Sequence, residues 1–232
     1  MPATLTSDSG VAPDTRAPEP RLRRYVAMGD SSTAGVPDDP EGTGRWPDEL
    51  AAALGREHPH LDYHNLGVAG VTSREVVAEQ LEPAVALAPD LVTLFCGAND
   101  VLLSVRPDID GYRRNLSEIF SRLGSERPAA HVLTATCADF SPWLGFRPRS
   151  RRRVSEGIGA LNDVTREEAA RHGAHCLEFE HHPRAVERES FAADGVHPSR
   201  DANRRAAAAF LHAVSELRIE ARPETPEAQG GP

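Results

Sequence analysis

The sequence predicts a three-layer α/β domain built on a five-stranded parallel sheet. Strand-like apolar runs alternate with amphipathic helical stretches about five times along the 232 residues, with no internal repeat. The run Leu91-Val-Thr-Leu-Phe-Cys96 is almost continuously apolar, as a strand covered by helices on both faces must be. The length suffices for one domain with its own core.

Arg24-Tyr-Val-Ala-Met28 reads as the first buried strand, stopping at Gly29-Asp30-Ser31. Trp46 to Leu54 reads as a helix with Pro47 in its first turn. Leu61 to Asn65 is the second strand, closed by Gly67 and Gly70. Thr72-Ser-Arg-Glu75 is a capping box, followed by a helical stripe of Val76, Val77, Leu81 and Val85 that ends at Pro89-Asp90. Leu91 to Cys96 is the third strand and Ile109 to about Gly124 a helix. Ala130 to Thr136 is the fourth strand, Arg152 to His172 a long helix, and Ala174 to Phe179 the fifth strand. The last helix, near Ser199 to Leu217, presents Ala207, Phe210, Leu211, Val214 and Leu217 on one face. Residues 1–20 and 219–232 are rich in Pro, Glu and small polar residues and read as disordered tails around a domain at 21–218.

Composition excludes several functions. The net charge of −9 argues against nucleic-acid binding. All 26 basic residues are arginine, so a Schiff base, a Walker-A loop and a Ser-Lys dyad are ruled out. No apolar run is long enough for a membrane span, and the N-terminus lacks a secretory pattern. Cys96, Cys137 and Cys176 read as buried free thiols in a reducing, cytoplasmic setting. A monomer is expected.

Three motifs carry the chemistry. Gly29-Asp30-Ser31 sets a hydroxyl at a strand end, where a base can approach it; alone, the serine would be a turn residue or helix cap. Asp194-Gly-Val-His197-Pro198 places a carboxylate and an imidazole one turn apart, so that Asp194 can fix the His197 tautomer and leave Nε2 to take a proton from Ser31. Gly97-Ala-Asn99-Asp100 offers the Asn99 amide to an oxyanion. The loop Asn65-Leu-Gly-Val-Ala-Gly70 lets backbone come close to a ligand. Two of the three motifs end strands, and ligands of such folds bind beyond the carboxyl ends of the strands.

On these blocks the chain resembles the SGNH hydrolases of the GDSL esterase/lipase superfamily, over about residues 22 to 217. The matching residues are Gly29 to Ser31 with Gly35, Asn65 to Gly70, Gly97 to Asp100, and Asp194 to Pro198; Ser32 stands where the family name carries Leu. The resemblance implies a flavodoxin-like sandwich. It also implies a Ser31–His197–Asp194 triad and an oxyanion hole made of Ser31, Gly70 and Asn99. The expected reaction is hydrolysis of small-molecule carboxylic esters through an acyl-enzyme. The alternatives are an acyltransferase or thioesterase using the same site and, further off, a binding module without activity.

Asp30 is read as structural, bonding backbone near Asn65 to Gly70. The arginines at 147, 149, 151, 152 and 153 read as a solvated loop before a helix. His175, Glu178, Glu180, His181 and His182 lack a metal-ligand spacing, so neither a metal nor another cofactor is expected. The longest connection, Ala138 to Arg151, offers only Phe140, Trp143, Leu144 and Phe146 as apolar cover. No extended groove is legible, and short acyl groups, acetyl to about hexanoyl, are expected.

Overall fold

The computed structural model describes residues 22–36 and 42–217; the two stretches read as disordered tails lie outside them. The strands are β1 (Arg24–Gly29), β2 (Asp62–Asn65), β3 (Leu91–Phe95), β4 (His131–Ala135) and β5 (His175–Leu177). All pair in parallel, in the order β2-β1-β3-β4-β5. The helices are α1 (Ser31–Ala34), α2 (Trp46–Glu57), α3 (Ser73–Glu75), α4 (Leu81–Ala86), α5 (Ala98–Leu102), α6 (Ile109–Glu126), α7 (Pro148–His172) and α8 (Arg200–Glu216). A π-helical turn, Val76–Gln80, joins α3 to α4.

The sheet separates two cores, and the strand period of two assigns residues to them. Val26, Met28, Val92 and Leu94 face Leu116, Ile119, Phe120 and Val154 of α6 and α7. Tyr25, Ala27, Leu91 and Leu133 face Trp46, Leu50 and Phe210 of α2 and α8. Both faces of β1 and β3 are thereby sealed, which explains their unbroken apolar runs. Each fully buried Leu or Phe contributes about 1.5 to 3 kcal/mol. The three-layer α/β/α expectation is met.

The expected elements form, with shifted ends. The capping box at Thr72 is present: the Thr72 N–H donates to Glu75 Oε2 at 2.7 Å. The long helix starts at Pro148, four residues before the expected Arg152, because proline suits a first helical turn. That change corrects the reading of the arginine cluster. Arg149, Arg151, Arg152 and Arg153 lie on α7, and Arg153 donates to the carbonyls of Val101 and Ser104. The fifth strand ends at Leu177, short of Phe179, where the Glu180 N–H turns to Thr136 Oγ1. The helix α5 and the π-helical turn have no counterpart in the sequence reading. The three thiols are unpaired but half-buried rather than buried.

With this strand order the chain leaves β1 toward β2 and then crosses to β3. The crevice beyond the carboxyl ends of β1 and β3 is therefore the topological switch point. Ser31 follows β1 and Asn99 follows β3, so the two motifs flank that crevice.

Candidate active site

Gly29 shapes the first turn. A Cβ there would stand 2.1 Å from the Phe95 carbonyl oxygen and 2.5 Å from Thr33 Oγ1, so the close approach of β1 to β3 admits only glycine. The chain then turns at Asp30, whose N–H donates to Phe95 O at 3.3 Å. Asp30 caps α1, and Ser31 is the first residue of that helix.

Asp30 is buried, and its Oδ1 accepts the Ser32 N–H at 2.9 Å. The expected bond from Asp30 to the 65–70 backbone is not found; Asn65 makes it instead. Asn65 Oδ1 accepts the Gly67 N–H and its Nδ2 donates to Thr33 O, each at 2.9 Å. The physical reason is reach: Asp30 is committed to its own helix start, and the longer-range tie falls to the side chain at the end of β2. Burial pushes the Asp30 carboxyl up to about 6, against the hydrogen bond from Ser32.

The 190–199 segment presents the other two polar groups. Phe191 and Pro198 form an isolated antiparallel bridge, and the Ala192 N–H donates to His197 O at 2.8 Å. The Arg188 guanidinium donates to the carbonyls of Phe191 and Ala192 at 2.8 Å, which clamps the loop from outside. Asp194 Oδ1 accepts the N–H groups of Val196 and His197 at 2.8 and 3.0 Å. Its Oδ2 lies 2.5 Å from His197 Nδ1, and His197 Nε2 lies 2.8 Å from Ser31 Oγ. Burial alone raises the Asp194 carboxyl, but the bonds from the His197 ring and from the Val196 and His197 N–H groups outweigh it and hold it below the usual range. An ionised Asp194 can only accept, so His197 carries its proton on Nδ1, and Nε2 is left to accept the Ser31 hydroxyl proton.

Asn99 lies in the first turn of α5, and its Nδ2 donates to Val71 O at 2.9 Å. One amide hydrogen is thus used to orient the side chain and one remains. Gly70 is exposed with φ +86°, a left-handed turn that glycine takes without strain. The neighbouring Asp100 accepts from the Ser73 N–H at 2.9 Å and the Ser73 hydroxyl at 2.6 Å, so the loop around Gly70 and the start of α5 are tied together.

Ser31, Gly70, Asn99, Asp194 and His197 all border one cavity of about 450 Å³. The structure brings every sequence-predicted site residue except Asp30 to its wall. The cavity also has an apolar wall. Trp46, Phe95, Phe140, Phe179 and Phe191 line it, and they come from five separate stretches of chain; only Phe140 is among the residues that the sequence offers as apolar cover. Cys137 lines it as well, but burial pushes its thiol up to about 12, so no thiolate nucleophile is present there at neutral pH. Glu178, Glu180 and His181 come within 4.8 Å of one another, and the Arg166 guanidinium already meets both carboxylates.

A family model described as GDSL-like Lipase/Acylhydrolase family matches residues 27–205. A comparison with curated proteins gives no match. Among solved structures, a lipase/acylhydrolase from Enterococcus faecalis is 22% identical with a TM-score of 0.65, covering 87% of this chain and 100% of its own. A GDSL-like lipase from Parabacteroides merdae is 16% identical with a TM-score of 0.69, covering 85% and 99%. An acetyl xylan esterase is 17% identical with a TM-score of 0.62, covering 82% and 99%. At these identities the likeness shows the shared fold.

Proposed function

The chain belongs to the GDSL-like Lipase/Acylhydrolase family and is a GDSL-type carboxylic ester hydrolase, and from that premise we propose that it works through an acyl-enzyme on Ser31. The observation that carries this reading is the unbroken chain from Ser31 Oγ through His197 to Asp194, at 2.8 and 2.5 Å. His197 Nε2 takes the Ser31 proton as Oγ attacks the acyl carbon. The oxyanion that forms is held by the N–H of Ser31, the N–H of Gly70 and the second amide hydrogen of Asn99. Collapse of the tetrahedral intermediate breaks the bond to the alcohol oxygen, which leaves with the proton from His197. Water then attacks the acyl-enzyme, gives a proton to His197, and releases the acid with the hydroxyl proton back on Ser31. The mechanism calls on no metal or cofactor.

The oxyanion assignment predicts a specific kinetic pattern. Asn99→Ala lowers kcat by about 100-fold or more with little change in KM, because the amide's bond strengthens as the carbonyl oxygen gains charge. Steady-state kinetics on p-nitrophenyl acetate checks this. A change confined to KM would make Asn99 a ground-state contact instead.

Short acyl groups remain the proposed substrates, now on grounds of volume. The cavity of about 450 Å³ must hold the acyl and alcohol portions together. A benzene-sized group already fills a cavity of about 150 Å³. The apolar wall still rewards each added methylene by about 0.8 kcal/mol until the space is used. Across p-nitrophenyl esters, kcat/KM therefore rises from acetyl to about hexanoyl and then falls. A continuous rise to palmitoyl would overturn the size limit.

A further inference from the structure

Gln80 is a polar residue in an apolar place. It is 2% exposed and sits at the end of the π-helical turn, one turn after Val76, which is fully buried. Its side chain is satisfied by backbone: the Gly29 N–H donates to Gln80 Oε1 at 2.8 Å, and Gln80 Nε2 donates to Gly29 O at 2.9 Å. The need for these bonds follows from the sheet. β2 pairs with β1 only as far as Ala27, opposite Asn65; beyond it the Leu66 and Val68 N–H groups still reach the carbonyls of Ala27 and Gly29, but the Gly29 N–H takes the Gln80 side chain as its acceptor. Without Gln80 the Gly29 N–H would be buried and unpaired. The carboxamide stands in for the backbone acceptor that the strand edge does not give to that N–H.

We propose that Gln80 is a positioning residue that fixes the nucleophile turn against the oxyanion loop; this rests on the serine mechanism proposed above. The joint is the Gly29 peptide. Gly29 lies two residues before Ser31, and its carbonyl also accepts the Val68 N–H at 3.1 Å, from the loop that leads to Gly70. One carbonyl thus holds Gln80 and the 66–70 loop together, immediately behind the serine. The widened turn has a purpose in this arrangement. Its i to i+5 bond, from the Leu81 N–H to Val76 O, inserts an extra residue into the helix and carries Gln80 to the end of β1.

The test uses Gln80→Met and Gln80→Glu in the full chain, with p-nitrophenyl acetate and a p-nitrophenyl phosphonate that labels serine. Methionine keeps the size and loses both bonds. It lowers kcat and the rate of Ser31 labelling by about 10- to 100-fold, with KM changed by about twofold or less. A neutral glutamic acid reproduces both bonds, its C=O accepting from Gly29 N–H and its O–H donating to Gly29 O. Ionised, it cannot donate. Gln80→Glu therefore stays near wild-type activity at about pH 7 and loses it as pH rises through about 8 to 9, where a buried glutamate titrates.

The titratable groups on the elements packed against this turn include Glu75 on α3, Glu82 on α4, Glu118 and Arg122 on α6, and Asp30 just after β1. The wild type carries all of these, so a falling limb seen only in Gln80→Glu belongs to the new acid. If Gln80→Met does not fold, the pH profile of Gln80→Glu decides. Wild-type kcat and labelling rates in folded Gln80→Met, a Gln80→Glu activity that follows the wild type as pH rises through about 8 to 9, or a loss in KM alone, would overturn the positioning role. Absence of Ser31 labelling in the wild type would overturn the serine mechanism and this proposal with it.

Discussion

Ser31→Ala lowers kcat by about 10⁴- to 10⁶-fold, while the protein melts close to the wild type. The two halves of that result have separate causes. The serine hydroxyl makes one described side-chain bond, to His197 Nε2 at 2.8 Å, and a single neutral hydrogen bond contributes only about 1 kcal/mol net. The turn itself does not depend on it, because Asp30 caps α1 and Gly29 is held by Gln80. Catalysis loses its covalent route and keeps only the oxyanion donors and the apolar wall, which leaves a small residual rate. A p-nitrophenyl phosphonate should attach to Ser31 of the wild type and leave Ser31→Ala unlabelled, as peptide mapping by mass spectrometry reads. Ser32 borders the same cavity, so it is the internal control. Label on Ser32, or full turnover in Ser31→Ala, would remove Ser31 from the mechanism.

The polar groups of the site were legible in the sequence because each lies in a short motif whose spacing does local work. Asp194 and His197 meet through one turn of chain, and Ser31 and Asn99 follow strands that the apolar runs already mark. What the sequence withheld is contact between distant segments. The sequence reading places the tie to the 65–70 loop on Asp30, yet Asn65 makes it. The cavity wall joins Trp46 of α2 to Phe179 and Phe191, which no window of sequence brings together. Gln80 left one trace: a glutamine three residues after Val77 and four after Val76, on the face that the valines mark as buried. A polar residue on an apolar stripe must be satisfied, and its partner, Gly29, lies 51 residues away.

Removal of the base gives the second large effect. His197→Ala lowers kcat/KM by about as much as Ser31→Ala, and the double variant is hardly worse, because groups that act as one unit do not add. In the wild type, kcat/KM should rise with pH, because only the neutral imidazole can accept the Ser31 proton. His197→Ala should flatten that rise. A second acid could shape the profile: the Asp30 carboxyl, pushed up to about 6 by burial. The two separate by sign. A carboxyl raised in the folded state stabilises the fold when protonated, and that contribution is lost as pH rises through about 6. Asp30→Asn keeps an acceptor for the Ser32 N–H and carries no charge, so its melting temperature should gain on the wild type as pH rises through that range. If His197 is the base, the rising limb of kcat/KM stays in place in Asp30→Asn while the difference in melting temperature changes. A limb that disappears in Asp30→Asn and survives in His197→Ala would assign the ionisation to Asp30 and leave Ser31 without the base that its 2.8 Å contact with His197 supplies.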